Sequence, residues 1–188
     1  MTTSTEHNKN DDITIELTKD HNELREMFGK LRAGASGDER VDLVREMTTE
    51  LVKHSVAEEV HLYPLIRKIL PQGDELADKE LEEHAEVEKA LKELEKLDPD
   101  QARYEQLIEQ VIDDVSQHAR EEEDVIFPQL REKCDQDELK HLGDKVRQVK
   151  SVAPTHPHPS APDRPPANMI LGPMAGLVDR VRDALSSR

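Results

Sequence analysis

Apolar residues recur at alternating steps of three and four along four long stretches of this chain, which is the spacing of one face of an α-helix. The pattern predicts helices near residues 12–33, 39–70, 74–97 and 100–134. Short breaks that combine Gly or Pro with Asp or Ser separate these helices, at residues 34–40, 71–75 and 97–101. Because such short connections make neighbouring helices antiparallel, the predicted fold class is all-α, an up-down-up-down four-helix bundle.

The chain changes character after the fourth helix. A shorter amphipathic helix is predicted near 136–149, and one of its faces carries Leu139, Leu142, Val146 and Val149. Six prolines then predict an extended, Pro-rich linker over 151–168. The last segment, 169–188, ends with apolar residues at helical spacing, and it can either dock back on the bundle or bind a protein partner.

The composition agrees with one helical domain. The 188 residues are enough for a domain at 12–150, preceded by polar residues 1–11 that show no periodicity and are predicted to be disordered. Aromatic residues make up 2% of the chain and Trp is absent, so the core must consist of aliphatic side chains and Met. This favours helices, because strands are rich in aromatic and β-branched residues.

The charge narrows the choice of partners. The net charge of −16 repels phosphate backbones and anionic lipids, which argues against nucleic acid and membrane surfaces. No apolar run approaches the roughly 20 residues that span a bilayer. Cys134 is the single cysteine, so no internal disulfide can form and a reducing cytoplasm is the expected location.

Polar residues interrupt the apolar face of each of the four long helices. They are His21 in the first helix, His54, Glu58 and His61 in the second, His84 in the third, and His118 and Glu122 in the fourth. Their spacing places all seven side chains on the face that points into the core. Each half of the chain therefore contributes one histidine and then a His-x-x-x-Glu pair.

The two halves repeat each other in sequence. The segment HSVAEEVHLYPLIR at 54–67 aligns with HAREEEDVIFPQLR at 118–131, at an offset of 64 residues, and His21 aligns with His84 at an offset of 63. The chain is therefore interpreted as a duplicated helical hairpin. Pro64 and Pro128 are equivalent in this repeat, which predicts paired kinks inside long helices instead of two helix ends.

Burial of these side chains predicts a metal site. An ionised carboxylate inside a bundle loses hydration worth on the order of several kcal/mol unless another group replaces the water. Side chains four residues apart on a helix share a face, so one cation can contact both. Four imidazoles and two carboxylates exceed the needs of one tetrahedral zinc and suit two octahedral ions bridged by carboxylates and a solvent oxygen. Nitrogen and oxygen ligands accommodate iron, manganese or zinc.

Several polar residues near these six were also considered as ligands or as surface residues. His61 is a candidate further ligand on one metal, and its counterpart in the second half is Val125. Helical phase favours Glu122 over Glu123 as the ligand. Glu59, Glu88 and Glu123 are predicted to lie on solvated faces, since acidic residues are abundant throughout the chain. Tyr63 is predicted to pack away from the ligands unless a kink at Pro64 turns it inward.

The four helices carry, in order, His, His-x-x-x-Glu, His and His-x-x-x-Glu, and Pro stands ten residues after the second and fourth histidines. This arrangement resembles the bacterial HHE cation-binding members of the hemerythrin family. The resemblance covers residues 12 to about 134. It implies two non-haem iron ions with an oxo or hydroxo bridge that bind dioxygen, peroxide or nitric oxide. Oxygen-carrying hemerythrins have His-x-x-x-His in the third helix, whereas Glu88 follows His84 here, which argues against a simple oxygen carrier.

Two functions follow from this interpretation. The first is a di-iron protein that acts in oxygen, redox or nitric oxide response or in peroxide detoxification, with peroxidase- or catalase-like activity as an open question. Such turnover needs an acid or base near the open coordination position, and the sequence offers His61. The second is a sensor of iron or oxygen, or an iron-binding or storage protein, that signals through its C-terminal tail without turnover.

Overall fold

The computed structural model describes residues 11–152, which are helical almost throughout and contain no strand within that range. Its α-helices are α1 (Ile13–Arg32), α2 (Gly37–Ala57), α3 (Tyr63–Ile69), α4 (Gly73–Leu94), α5 (Ala102–Glu121), α6 (Phe127–Lys133) and α7 (Gln136–Val152). Two π-helical segments, Glu58–Leu62 and Glu122–Ile126, join α2 to α3 and α5 to α6. The four predicted long helices and the short fifth helix are confirmed.

The two π-helical segments allow long helices to contain proline. Pro64 and Pro128 lack the backbone N–H of a regular helix, and each stands in the first turn of the α-helix that follows a π-helical segment. The Tyr63 N–H donates to the carbonyl of Glu58, and the Phe127 N–H donates to that of Glu122, five residues back in each case. Both helices therefore continue through their prolines, as the repeat predicts.

The core of the bundle has two apolar layers with a polar layer between them. One layer includes Ile13, Leu62, Ile66 and Leu130, and the other includes Met47, Leu107 and Ile112. Buried histidines and glutamates lie between these layers. Among residues 11–152, no helix is long and apolar enough to cross a membrane.

Helix α7 packs across α1 and α2, outside the four-helix bundle. Leu139, Val146 and Val149 are fully buried on its inner face, and Leu142 packs against the same apolar layer. The Asp12 side chain caps the start of α1 nearby by accepting from the N–H groups of Thr14 and Ile15. The expectations for residues 1–10 and 153–188 fall outside the described residues.

Candidate metal centre

Six of the seven predicted site residues meet in the polar layer. Glu58 and Glu122 are completely buried, and the four histidines are between 1% and 7% exposed: His21, His54, His84 and His118. The histidine Nε2 atoms converge on the two carboxylates. The inward orientation predicted from the helical spacing is therefore what the structure shows.

Glu58 lies between two pairs of histidines. Its Oε1 is 2.9 Å from Nε2 of His54, and its Oε2 is 3.2 Å from Nε2 of His84 and 3.9 Å from Nε2 of His118. One carboxylate oxygen thus faces the first half of the chain and the other faces the second half.

Glu122 also lies between the two histidine pairs, with one oxygen directed at each pair. Its Oε2 is 3.4 Å from Nε2 of His21, and its Oε1 is 3.7 Å from Nε2 of His118. In the first pair, Nε2 of His21 and Nε2 of His54 are 3.2 Å apart. The layer therefore holds a first position, between His21 and His54, and a second position, between His84 and His118, each facing both carboxylates.

The donor set fits a pair of cations. Five buried atoms of this layer make no hydrogen bond within residues 11–152: both oxygens of Glu58, both oxygens of Glu122 and Nε2 of His118. Their short approaches to one another lack hydrogen-bond geometry. Nitrogen and oxygen atoms that share one cation at about 2.1 Å lie about 3 Å apart, which is near the separations found here. Bound cations would compensate these atoms for lost hydration.

Each of the four histidines also contacts a carboxylate through its other nitrogen. Nδ1 of His21 is 2.7 Å from Glu123, and Nδ1 of His84 is 3.1 Å from Glu59. A carboxylate that accepts from Nδ1 fixes the ring and directs Nε2 at a cation, which is the usual arrangement around metal-bound histidine.

The other two histidines follow the same rule. Nδ1 of His54 is 3.3 Å from Asp20, and Nδ1 of His118 is 3.0 Å from Glu83. Asp20 directly precedes His21, just as Glu83 directly precedes His84. The internal repeat therefore includes the four carboxylates behind the histidines, which the sequence interpretation missed although the same offsets reveal them.

Glu59 and Glu88 were wrongly predicted to be solvated, whereas Glu123 is partly exposed. The side chains of Glu59 and Glu88 are each 5% exposed, and that of Glu123 is 23% exposed. Glu59 and Glu123 follow the central glutamates and bind the histidine of the opposite half. Glu88 lies 2.9 Å from the ammonium group of Lys92. Contacts across the bundle decide the positions of Glu59 and Glu123, which helical phase does not reveal, whereas Glu88 stands four residues after His84 and shares its helical face.

Glu80 is a further buried carboxylate that the sequence interpretation missed. It is fully buried, and its Oε2 lies 2.9 Å from Nδ1 of His118. With His118 and Glu122 it forms a third group of atoms close enough to hold a cation. The equivalent residue in the first half is Leu17, so this extra charge belongs to the second position alone.

Tyr63 lies beside the second position. Its hydroxyl is 2.9 Å from Nε2 of His84, and the ring is buried. In an α-helix five residues advance the chain by about 1.4 turns, but in a π-helix residues five apart are hydrogen-bonded neighbours, so Tyr63 returns to the face of Glu58. The equivalent residue in the second half is Phe127, which stacks on His21 with ring centroids 6.1 Å apart.

His61 does not join the six. It is half-buried and absent from all three groups that could hold a cation. It belongs to the first π-helical segment, where a three-residue step from Glu58 no longer follows the α-helical face. A ligand role for His61 stays a prediction.

The buried charges shift the pKa values of the layer. Burial alone would lower the pKa of His54, but the neighbouring carboxylates of Glu58 and Asp20 outweigh it and raise the pKa to about 10. Burial, followed by the charge of Glu58, raises the pKa of Glu122. Burial, together with the surrounding glutamates, raises the pKa of Tyr63 well above its ordinary value. Without cations the layer thus retains protons at neutral pH.

A cavity of about 430 Å³ connects the centre to the surface. Three of the site histidines, including both of the second position, lie at its inner end, and Leu51, Val87 and Val115 form an apolar wall. These three residues line a passage whose volume accommodates several water molecules at about 30 Å³ each.

Within residues 11–152, a helical bundle whose buried imidazoles and carboxylates converge is typical of a cation-binding helical protein. The profile of the Hemerythrin HHE cation binding domain matches residues 12–130. This chain therefore belongs to the hemerythrin HHE cation-binding domain family.

Similar proteins agree with this membership. An uncharacterized hemerythrin-like protein of Schizosaccharomyces pombe is 29% identical over 174 residues, which cover 92% of this chain and 86% of that protein. A DNA nickase of a Nostoc species is 25% identical over 137 residues, which cover 72% of this chain and 38% of the nickase. The latter match shows one shared segment of a longer protein.

The fold also matches a solved structure. The crystal structure of a hemerythrin HHE cation binding domain-containing protein from Mycobacterium kansasii superposes with a TM-score of 0.64. The match covers 90% of this chain and 98% of that chain at 22% sequence identity. Similarity at this level of identity establishes the common fold.

Proposed function

We propose that this chain is a non-haem di-iron protein whose centre binds dioxygen, peroxide or nitric oxide, in oxygen, redox or nitric oxide response or in peroxide detoxification. One observation carries the proposal: Glu58 and Glu122 each direct one oxygen at either histidine pair. Two carboxylates in this arrangement suit two cations that share them, together with a bridging oxo or hydroxo group.

The chain provides the ligands in two equal sets. His21 and His54 would hold the first iron, and His84 and His118 would hold the second. The proposal assigns the bridging role to Glu58 and Glu122, and the carboxylates on the Nδ1 atoms would hold each imidazole neutral and in position. A bound pair of ferrous ions would supply two electrons to a small oxidant.

The two positions would differ in reactivity. The second position has Tyr63 and Glu80 beside it and is reached by the cavity. Beside the first position, Phe127 stands in the place of Tyr63 and Leu17 in the place of Glu80. A small ligand would therefore arrive at the second position. There the Tyr63 phenol can serve as a proton donor or as an additional ligand, since its oxygen lies beside the nitrogen that a cation would use.

We further propose a small ligand and a cytoplasmic location. The net charge of −16 favours a small neutral or cationic partner over nucleic acid. The single cysteine suits a reducing cytoplasm. Peroxidase- or catalase-like turnover is tested by peroxide consumption of the iron form, with His61 and Tyr63 as the candidate acids.

Metal analysis combined with an ultraviolet-visible spectrum tests the proposal. Protein purified in air is expected to contain about two irons per chain and to show absorption from an oxo-bridged iron pair, which azide then changes. One metal ion per chain, or a stable zinc or manganese form that iron does not replace, would overturn the di-iron assignment.

A second candidate function is a sensor of iron or oxygen. The buried, hydrogen-bond-free oxygens of Glu58 and Glu122 favour it, because cations that replace lost hydration stabilise the folded state. A large rise in melting temperature on iron loading without peroxide consumption supports the sensor, whereas rapid peroxide consumption supports the enzyme.

A further inference from the structure

The carboxylate behind His54 is held by a residue from outside the bundle. Asp20 is buried, and its two oxygens have different partners: one faces Nδ1 of His54 and the other accepts from the ammonium group of Lys150 on α7. The pKa of Asp20 is lowered, although burial alone would raise it, because His54 and Lys150 both favour the charged carboxylate.

The equivalent carboxylate in the second half is held differently. Glu83 binds Nδ1 of His118, and its second partner is Lys79, four residues earlier on the same helix at 3.0 Å. Glu83 is 31% exposed, whereas Asp20 is 5% exposed. In the second half, the lysine that holds this carboxylate comes from the same helix. In the first half, the lysine comes from α7 and reaches the carboxylate only when α7 is docked.

The docking of α7 is specific along its length. Arg147 lies 2.7 Å from Glu16, which is almost fully buried on α1. Gly143 packs so closely against the start of α1 that a Cβ atom there would lie 2.3 Å from the carbonyl oxygen of Asp11. The family match ends at residue 130, so α7 and Lys150 lie beyond the matched domain.

We propose that Lys150 is a positioning residue that links the docking of α7 to cation binding at the first position. Lys150 holds Asp20, Asp20 holds the His54 ring, and His54 presents Nε2 to the cation. Because such linkage is reciprocal, a cation at the first position stabilises docked α7, and release of α7 weakens that cation. The inference rests on the proposed pair of cation positions and adds control of one of them by the helix that precedes the C-terminal tail.

Titration of the full-length chain with Co²⁺ against a chromophoric chelator tests the link. Removal of a group behind a metal-bound histidine typically lowers affinity by about 10- to 100-fold. The Lys150→Met variant should therefore lose about tenfold or more in affinity for one of two Co²⁺ ions and keep the other unchanged. Lys140→Met, on the exposed side of α7, is the matched control, and Lys150→Arg should restore most of the lost affinity.

Hydrogen exchange provides a measurement that does not depend on affinity. In the wild-type chain, Co²⁺ loading should increase protection of residues 136–152, and this increase should disappear in Lys150→Met. Gly143→Ala, which forces α7 away from α1, should reproduce the selective loss of one Co²⁺ ion.

Wild-type affinity for both ions in Lys150→Met, or equal weakening of both, would show that Lys150 acts only on overall stability and would overturn the inference. A wild-type chain that binds fewer than two Co²⁺ ions would overturn both the inference and the proposed function.

Discussion

Tyr63 and Phe127 occupy equivalent places, each directly after a π-helical segment, but only Tyr63 directs a hydroxyl at a site histidine. The two halves of the centre are therefore alike in their four histidines and two central glutamates, and they differ in the aromatic residue beside each position as well as at Glu80 and Leu17. We expect the chemistry of the second position to depend on this one oxygen atom.

Replacement of Tyr63 by Phe should leave two cations bound and change the spectrum of the iron form. The phenol would no longer reach the second iron, so any phenolate-to-iron absorption should disappear and azide should bind with a different affinity. The control is Tyr104→Phe, which removes a buried tyrosine from the other apolar layer. Identical spectra for wild type and Tyr63→Phe would mean that the phenol takes no part.

Replacement of Glu122 by Gln should stabilise the metal-free protein and impair cation binding. The raised pKa of Glu122 means that its ionised form is unfavourable in the folded state at neutral pH, and a neutral amide removes this cost. Each kcal/mol corresponds to a rise in Tm of about 2–4 °C for a chain of this size. Thermal unfolding and metal titration measure the two effects.

The control for that experiment is Glu109→Gln, which alters an exposed carboxylate on α5, the helix that leads into the π-helical segment of Glu122. It should change stability by less than about 0.5 kcal/mol. A lower Tm for metal-free Glu122→Gln would contradict the view that this glutamate is kept for cation binding at the expense of stability.

Cation binding should strengthen as the pH rises. The pKa of His54 is about 10 in the metal-free protein, so this imidazole carries a proton at pH 7, whereas a metal ligand must be neutral. A higher pH removes the competing proton, and affinity should increase by up to about tenfold per pH unit for each proton released. Titrations between pH 6 and pH 8 measure the slope, and an affinity independent of pH would contradict the protonated state.

Obstruction of the cavity should slow ligand access without changing metal content. Val87 lines the passage to the second position, and Val87→Phe should lower the rate of azide or peroxide reaction by about tenfold while two cations remain bound. Val41→Phe is the control because Val41 lines a separate cavity near the other end of the bundle. Equal rates in wild type and Val87→Phe would show that ligands use another route.

The sequence predicted the helices and the six converging side chains because both depend on regular periodicity. Burial forces polar residues such as Glu58 into a pattern that steps of three and four reveal without coordinates. The position of Tyr63 could not be obtained this way, since a π-helical turn changes the phase of every later residue. Four carboxylates could have been predicted from the sequence, because they obey the offsets of 63 and 64 that the histidines revealed: Asp20, Glu59, Glu83 and Glu123.

The contact between Lys150 and Asp20 could not be predicted from the sequence. Lys150 has no equivalent in the repeat, and its separation from Asp20 by 130 residues means that only the packing of α7 brings the two together. The cavity could not be predicted either, because Leu51 and Val115 are buried, and the opening beside them depends on how whole helices pack.

Each of the two hairpins provides a carboxylate for a histidine of the other. Nδ1 of His21 contacts Glu123, and Nδ1 of His84 contacts Glu59. The lone histidine of each hairpin therefore has its carboxylate only when the other hairpin packs beside it. Two separate, identical short chains could meet as a symmetric pair and form the same arrangement, but both would then carry the same side chain at every place. A single polypeptide removes that restriction, and it allows one half to keep a phenol while the other keeps a bare ring.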